Sequence, residues 1–473
     1  MGLPVPSALA TDLYQLTMMA GYEAAGHSAT STFELSVREL PSGRRYLMAA
    51  GLAQALDYLE GLCFTPGEIA WLRTVPALAA APVRFFDEVL PAFRFTGEVW
   101  AMDEGEIAFP HEPLVRVTAP VMEAQIVETA LLAILTFQTS VASKASRVVS
   151  AAAGRMVAEF GSRRAHGLEA ACLAARAACL AGCSATSNVE AGRLFDLPLT
   201  GTMAHSWVMA FADEIEAFRS YMGLFGERST LLIDTYDTVK AAEKIVASGL
   251  RPSAVRLDSG DLGSLSRAVR AIFDAGALLE TRILVSGDLD EHRVAALVAD
   301  RAPIDGFGVG TSISAVSDAP ALGGVYKLVE TVHHGHAVPT VKLSSGKRTY
   351  PGRKQVWRIG SGTAERDVIG LEHESVREGR PLLSCVMRQG KGLRAASPVM
   401  EMSFRARARL AELPVGVTSI DGDGKYPVVI SPALDSLARD AARQTSARPL
   451  AGNGDIVPCT SAALGAARRR EVH

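Results

Sequence analysis

Two arginines stand side by side in EFGSRRAHG (159–167), where an apolar run ends. Adjacent guanidiniums at a strand end, Arg163 and Arg164, offer bidentate recognition of a carboxylate or phosphate; a surface ion pair would use the same residues. His205 follows TGTMA (200–204) and precedes an amphipathic stretch, WVMAFADEIEAF. An imidazole there is equipped to act as base, acid or nucleophile, because its pKa lies near neutrality. In VRLDSGDL (255–262), Arg256 and Asp258 alternate along a strand, so both face one side. A charged pair inside a barrel is expensive unless it serves a ligand or forms an internal ion pair. Asp258 could there hold sugar hydroxyls or steady developing positive charge. SGD (286–288) and GFGVGT (306–311) are Gly-rich turns at consecutive strand ends. Such turns expose backbone N–H groups to an anion, and Ser286, Gly287, Gly308, Gly310 and Thr311 read as a phosphate cradle. They match neither GxGxxG with a following acid nor GxxxxGK[ST], which disfavours dinucleotide-binding and P-loop readings.

These residues need a scaffold that delivers strand ends to one place. EAQIVETALLAILTFQTSVASKASRVVSAA (123–152) reads as one long helix by its apolar spacing. Short apolar strands then alternate with amphipathic helices: RMVAEFG (155–161), LPLTGTMA (197–204), TLLIDTYD (230–237), SAVRLDSGD (253–261), TRILVSGD (281–288) and PIDGFGVG (303–310). The last four start roughly 25 residues apart, the length of one strand–helix unit, which implies a parallel sheet. In a βα barrel the carboxyl ends of the strands share one rim, and chemistry gathers there. The runs stop at Asp234–Thr235, Asp258–Ser259–Gly260–Asp261, Ser286–Gly287–Asp288 and Gly308–Val309–Gly310–Thr311. Helix N-caps would explain any one of these clusters. Four in succession point to a site.

The flanks differ. STFELSVREL (31–40) has strand character, and residues 97–120 alternate like short antiparallel strands. After about 330 come turns and short strands such as VPTVKLSS (338–345) and KQVWRIG (354–360). The expected organisation is a mixed α/β segment at 1–120, an α/β barrel with the site at 121–330, and a segment at 331–435 packing with the N-terminal one. An Ala/Arg-rich tail, 436–473, reads as a solvated end.

Composition excludes several classes. The chain has 473 residues, and 48 Lys+Arg against 51 Asp+Glu leave a net charge of −3. Bulk charge therefore does not equip it to coat nucleic acid. With 48% hydrophobic and 21% charged residues, it is not globally disordered. The N-terminus lacks a basic segment followed by an apolar one. The most apolar window, ALLAILTF (130–137), is far shorter than the roughly 20 residues of a membrane span. A cytoplasmic protein with no membrane partner is expected. No CxxC pair occurs among the six cysteines, and Cys172, Cys179 and Cys183 fall on one helical face as buried thiols.

TDLYQLTMMAGY (11–22), FELSVRELPSGRRYLMAAGL (33–52), EFGSRRAHG, GTMAHSWV, LIDTYDT (232–238), VRLDSGDL, GFGVGT and YPVVIS (426–431) together resemble the nicotinate phosphoribosyltransferase family, in its bacterial short form. The resemblance implies an irregular TIM-like α/β barrel plus a second domain built from the N- and C-terminal segments. It implies a homodimer with shared active sites. It also implies synthesis of nicotinate mononucleotide and pyrophosphate from nicotinate and phosphoribosyl pyrophosphate, coupled to ATP hydrolysis and normally assisted by Mg²⁺. By the same resemblance His205 takes a phosphoryl group from ATP, and Tyr14 stacks on the pyridine in a neighbouring subunit. Thr202 and Arg256 contact nicotinate, Arg163 lies near the substrates, and Asp258 lies near the ribose. Gly287, Gly308, Gly310 and Thr311 match the phosphate cradle. The cysteine cluster for zinc found in some members is not carried over, since only Cys385 and Cys459 lie towards the C-terminus. The rival substrates are nicotinamide and quinolinate. Three arginines favour a carboxylate over a neutral amide. A non-catalytic nucleotide-binding regulator on the same fold could have lost His205 or Asp258, and both are present.

Overall fold

The computed structural model describes residues 6–343, 349–360, 362–395 and 397–447. Six short strands form one parallel sheet, in the order Ala185–Thr186, Met156–Glu159, Gly306–Val309, Arg282–Val285, Ala254–Leu257, Thr230–Leu232. The sheet is curled into half a barrel. Its strands read as near-continuous apolar runs because helices cover them, and Val255, Leu257, Ile283, Val285, Phe307 and Val309 are buried.

One expected barrel strand is replaced. LPLTGTMA pairs only through a single parallel bridge, Leu199 to Thr186, and the two-residue strand Ala185–Thr186 holds the edge instead. Two residues leave no apolar run to detect.

The second part is built from both ends of the chain. A seven-stranded antiparallel sheet runs His336–Pro339, Gly324–His333, Thr30–Val37, Pro113–Pro120, Glu98–Met102, Leu383–Arg388, Lys391–Gly392. Strands after 324 thus pair with strands before 121. A four-stranded sheet (Gly379–Pro381, Lys354–Ile359, Arg366–Leu371, Val428–Ile430) packs beside it.

The long helical segment breaks at Val127 into Val121–Ile126 and Glu128–Ala151. The larger helix joins the two halves. Its Leu131, Ile134 and Leu135 enter the core of the outer sheets, and its Val141, Ala145 and Val148 enter the core of the parallel sheet. The first part of the expected solvated tail is instead the end of a helix, Pro432–Ala447, which buries Leu434, Ala438 and Ala441. The rest of that tail, with Cys459, lies outside the described residues, as does part of VPTVKLSS. No described helix is long and apolar enough to cross a membrane. Cys172, Cys179 and Cys183 are buried, and burial pushes the Cys179 thiol up to about 12.

A buried ionic knot joins the outer sheets. Arg358 donates to both oxygens of Asp367 at 3.0 and 2.6 Å and to Glu106 at 2.9 Å, while the Tyr426 hydroxyl donates to Asp367 at 3.0 Å. Glu112 is fully buried beside it. Burial and the neighbouring Asp367 carboxylate push its carboxyl well above the ordinary value of 4.5. The folded state therefore keeps a proton that the unfolded chain releases. That contribution is complete below the unfolded pKa and is lost as pH rises towards the folded one, at up to about 1.4 kcal/mol per unit. Glu112→Gln carries a permanent donor, so its urea midpoint should fall less between pH 5 and 7.5 than that of the wild type. Parallel declines would contradict the assignment.

Candidate active site

A cleft of about 600 Å³ opens at the carboxyl ends of the parallel strands. Arg163, Arg164, Thr202, Arg256, Asp258, Ser286, Gly287, Gly308, Gly310 and Thr311 all line it. Ten residues chosen on sequence, from four strand ends and the Thr202 segment, thus meet around one space. His205 and Tyr14 are not among the lining residues. His205 opens the short helix His205–Met209 and stands at the rim, with Nε2 3.9 Å from Asp258 Oδ2. Tyr14 lies on the helix Leu13–Ala24, is exposed, and donates its hydroxyl to Glu128 at 3.1 Å.

The centre of the cleft is an ion-pair network. Arg256 Nη1 donates to the Thr202 hydroxyl, and its Nη2 lies 3.2 Å from Asp258 Oδ1. The Ser286 hydroxyl donates to the same carboxylate. Burial alone would raise the Asp258 carboxyl, but Ser286, Arg256 and His205 outweigh it and hold the pKa below the ordinary carboxylate value. Asp258 is thus an anion at neutral pH. The Arg256 Nε is buried and has no hydrogen-bond partner among the described residues.

The polar clusters divide their labour. Asp237, Asp261 and Asp290 cap helices by accepting from Lys240 N, Ser264 N and Arg293 N at 3.0, 3.1 and 2.8 Å. The cap reading is therefore right for the acids at the helix starts. The acids nearer the strands serve the cleft. The Asp234 side chain is buried; its Oδ2 accepts from Asp258 N at 3.0 Å and from the Ser259 hydroxyl at 2.6 Å. Its Oδ1 has no hydrogen-bond partner and lies 4.0 Å from His205 Nδ1, which is also 3.3 Å from the Thr235 hydroxyl. The imidazole thus stands between two carboxylates.

Sequence reasoning named the Asp234–Thr235 cluster but did not carry Asp234 to the site. It also missed Phe160 and Asp288, which line the cleft. Each had a signal, Phe160 as a strand-end aromatic in EFGSRR and Asp288 as the acid of SGD. Asp288 sits in the left-handed region, with φ +46°.

Two glycines are fixed by close approach. A Cβ on Gly287 (φ +98°) would fall 2.0 Å from the Asp258 carbonyl oxygen. One on Gly308 would fall 2.5 Å from the Phe160 ring, which lines the cleft.

The model of the nicotinate phosphoribosyltransferase N-terminal domain matches residues 9–136, and that of the quinolinate phosphoribosyl transferase C-terminal domain matches residues 141–319. Nicotinate phosphoribosyltransferase pncB2 of Mycobacterium tuberculosis is 45% identical over 433 residues, covering 90% of this chain and 91% of the relative. The chain belongs to the nicotinate phosphoribosyltransferase family. A Bacillus subtilis nicotinate phosphoribosyltransferase is 41% identical, over 79% of this chain and 78% of its own. The crystal structure of human nicotinic acid phosphoribosyltransferase superposes with a TM-score of 0.79 at 28% identity, over 91% of this chain and 99% of that one. Nicotinate phosphoribosyltransferases are pentosyl-transferring enzymes, and this enzyme family brings with it the curled parallel sheet and two-ended second domain described above.

The glycine geometry gives a test. Gly287→Ala should weaken phosphoribosyl pyrophosphate binding by at least about tenfold, or 1.4 kcal/mol. Gly323→Ala, whose Cβ would meet nothing within 4 Å, should leave it within about twofold. Titration calorimetry on both variants decides. Equal affinities would show that the turn does not hold phosphate.

Proposed function

We propose that this enzyme makes nicotinate mononucleotide from nicotinate and phosphoribosyl pyrophosphate in NAD salvage, driven by ATP through a phosphohistidine. The observation that carries the choice of substrate is the set of three guanidiniums lining the cleft, Arg163, Arg164 and Arg256. A neutral amide would bring no charge to that cationic lining. Among relatives covering more than three quarters of the chain, those at 45% and 41% identity carry the nicotinate name.

In this reading the pyridine lies against the Phe160 ring with its carboxylate on Arg256 and Thr202. Its nitrogen attacks C1′ of the ribose as the bond to pyrophosphate breaks. Holding nitrogen and carbon in line supplies much of the rate. Asp258, ionised beside the ribose, stabilises the positive charge that develops at C1′. The turns at Gly287, Gly308 and Gly310 let phosphate oxygens approach the backbone. Asp258 and Asp288 are suitable ligands for one Mg²⁺ shared with the diphosphate, since Mg²⁺ is commonly held by one or two carboxylates plus phosphates. No three acids, histidines or cysteines among the described residues form a metal site of their own. When bound, that ion neutralises charge on the leaving group.

His205 is the proposed phosphoryl acceptor. A ring nitrogen displaces ADP from the γ-phosphorus, and Asp234 and Thr235 hold the Nδ1 side. The phosphohistidine adds about two negative charges at the rim. Tyr14, exposed beside Leu13 and Met18, is proposed to complete the cleft of a second copy in a homodimer.

The overall test is product formation with nicotinate, nicotinamide and quinolinate, each with and without ATP. Nicotinate should be preferred and stimulated by ATP; preference for another acid or the amide would replace this reading. Arg256→Gln should collapse the nicotinate-to-nicotinamide ratio of kcat/KM, chiefly through loss with nicotinate. A lost charge-assisted bond of about 2–5 kcal/mol corresponds to roughly 30- to 5,000-fold. Equal losses on both substrates would assign Arg256 to the phosphoribosyl group. His205→Ala should lose labelling by γ-labelled ATP and all ATP stimulation while slow ATP-independent synthesis survives. Label at the wild-type level would remove His205 from that role.

A further inference from the structure

Glu159 ends the strand Met156–Glu159 and is fully buried, without lining the cleft. Its two oxygens face different segments. Oε1 accepts from the Gly161 backbone N–H, and Oε2 accepts from the Thr186 hydroxyl at 2.7 Å. Gly161 opens the single turn Ser162–Arg164, which carries both arginines. The fit there is close, since a Cβ on Gly161 would fall 2.8 Å from Glu159 Oε1.

Thr186 reaches the opposite wall. Its N–H donates to Pro198 O and its carbonyl accepts from Thr200 N, both at 3.0 Å. Those bonds hold the segment that ends at Thr202, the partner of Arg256. The backbone ladder between the strands Met156–Glu159 and Ala185–Thr186 ends at the Glu159–Thr186 pair, with Ser187 N–H donating to Glu159 O at 3.0 Å, and the dehydrated carboxylate carries that link past the ladder's end to the Gly161 turn. Burial raises its pKa, and the two hydrogen bonds oppose that rise. A buried carboxyl is expensive to keep, and an apolar residue would fill the space without that penalty.

We propose that Glu159 is a positioning residue for recognition of the substrate carboxylate, clamping the Arg163–Arg164 turn and the Thr202 segment in one register. The proposal rests on the nicotinate reading above. Glu159→Gln keeps an acceptor for Gly161 and offers a donor to the Thr186 oxygen. Glu159→Leu keeps the volume and removes both bonds.

Two measurements separate the clamp from a general structural role. The first is hydrogen exchange on the free protein, which needs no substrate. In Glu159→Leu, peptides covering 160–166 and 197–203 should exchange at least about tenfold faster, with the strands at 254–257 and 282–285 unchanged. The second is steady-state kinetics. The nicotinate KM should rise at least about tenfold with kcat within about threefold, and Glu159→Gln should restore both exchange and KM. Loosening of only one segment, an unchanged KM, a loss confined to kcat, or failure of Gln to rescue would each overturn the proposal. If the Leu variant does not fold, Thr186→Val removes that arm of the clamp together with the Asn188 N–H bond to the same hydroxyl, and leaves the Gly161 arm in place. It should loosen 197–203 and raise the nicotinate KM, and an unchanged KM would overturn the clamp. Wild-type turnover of nicotinate judges the functional reading, and exchange judges the clamp independently of it.

Discussion

A guanidinium held inside a cleft is the constraint on which this molecule turns. Arg256 leaves a central strand of the parallel sheet, is anchored by Thr202 and Asp258, and keeps one buried donor without a partner. An unsatisfied buried donor costs about 1–3 kcal/mol. Asp258 is held ionised by the same contact and by Ser286. In the proposed function, anion recognition and stabilisation of positive charge are two sides of one pair.

The surrounding fold keeps that pair in place. The Ser312 hydroxyl donates to Leu289 O at 2.8 Å and the Ser314 hydroxyl donates to Gly161 O at 3.1 Å. The short helix Thr311–Ser314 thereby stitches the SGD turn to the arginine turn. Behind the SGD turn, Glu291 is fully buried and paired with Lys144 at 2.5 Å and Arg147 at 3.0 Å, both from the helix Glu128–Ala151. That helix reaches from the outer core to the sheet core, so the loops rest on the element that joins the two halves.

Much of this was legible in the sequence for a physical reason. A parallel sheet delivers every strand's carboxyl end to one rim, so residues at successive strand ends meet whatever the helices between them do. Arg163, Asp258, Ser286 and Gly310 converge in that way. Contacts that depend on how loops fold back were not legible. Nothing in the spacing says that Asp234 faces His205, that Phe160 packs on Gly308, or that Ala185–Thr186 replaces LPLTGTMA at the edge. A two-residue strand has no periodicity, and a break at Val127 has neither Gly nor Pro to announce it. The helix at 432–447 was hidden because Ala and Arg suit a solvated tail and an amphipathic helix equally.

The central claim is that Arg256 is the carboxylate partner and the glycine turns are the phosphate partners. A crystal structure with nicotinate mononucleotide bound tests it most directly. A carboxylate oxygen should lie within about 3.2 Å of the Arg256 guanidinium, with the 5′-phosphate on the turns at Gly287, Gly308 and Gly310. A phosphate on Arg256, with the carboxylate turned to solvent, would contradict the account.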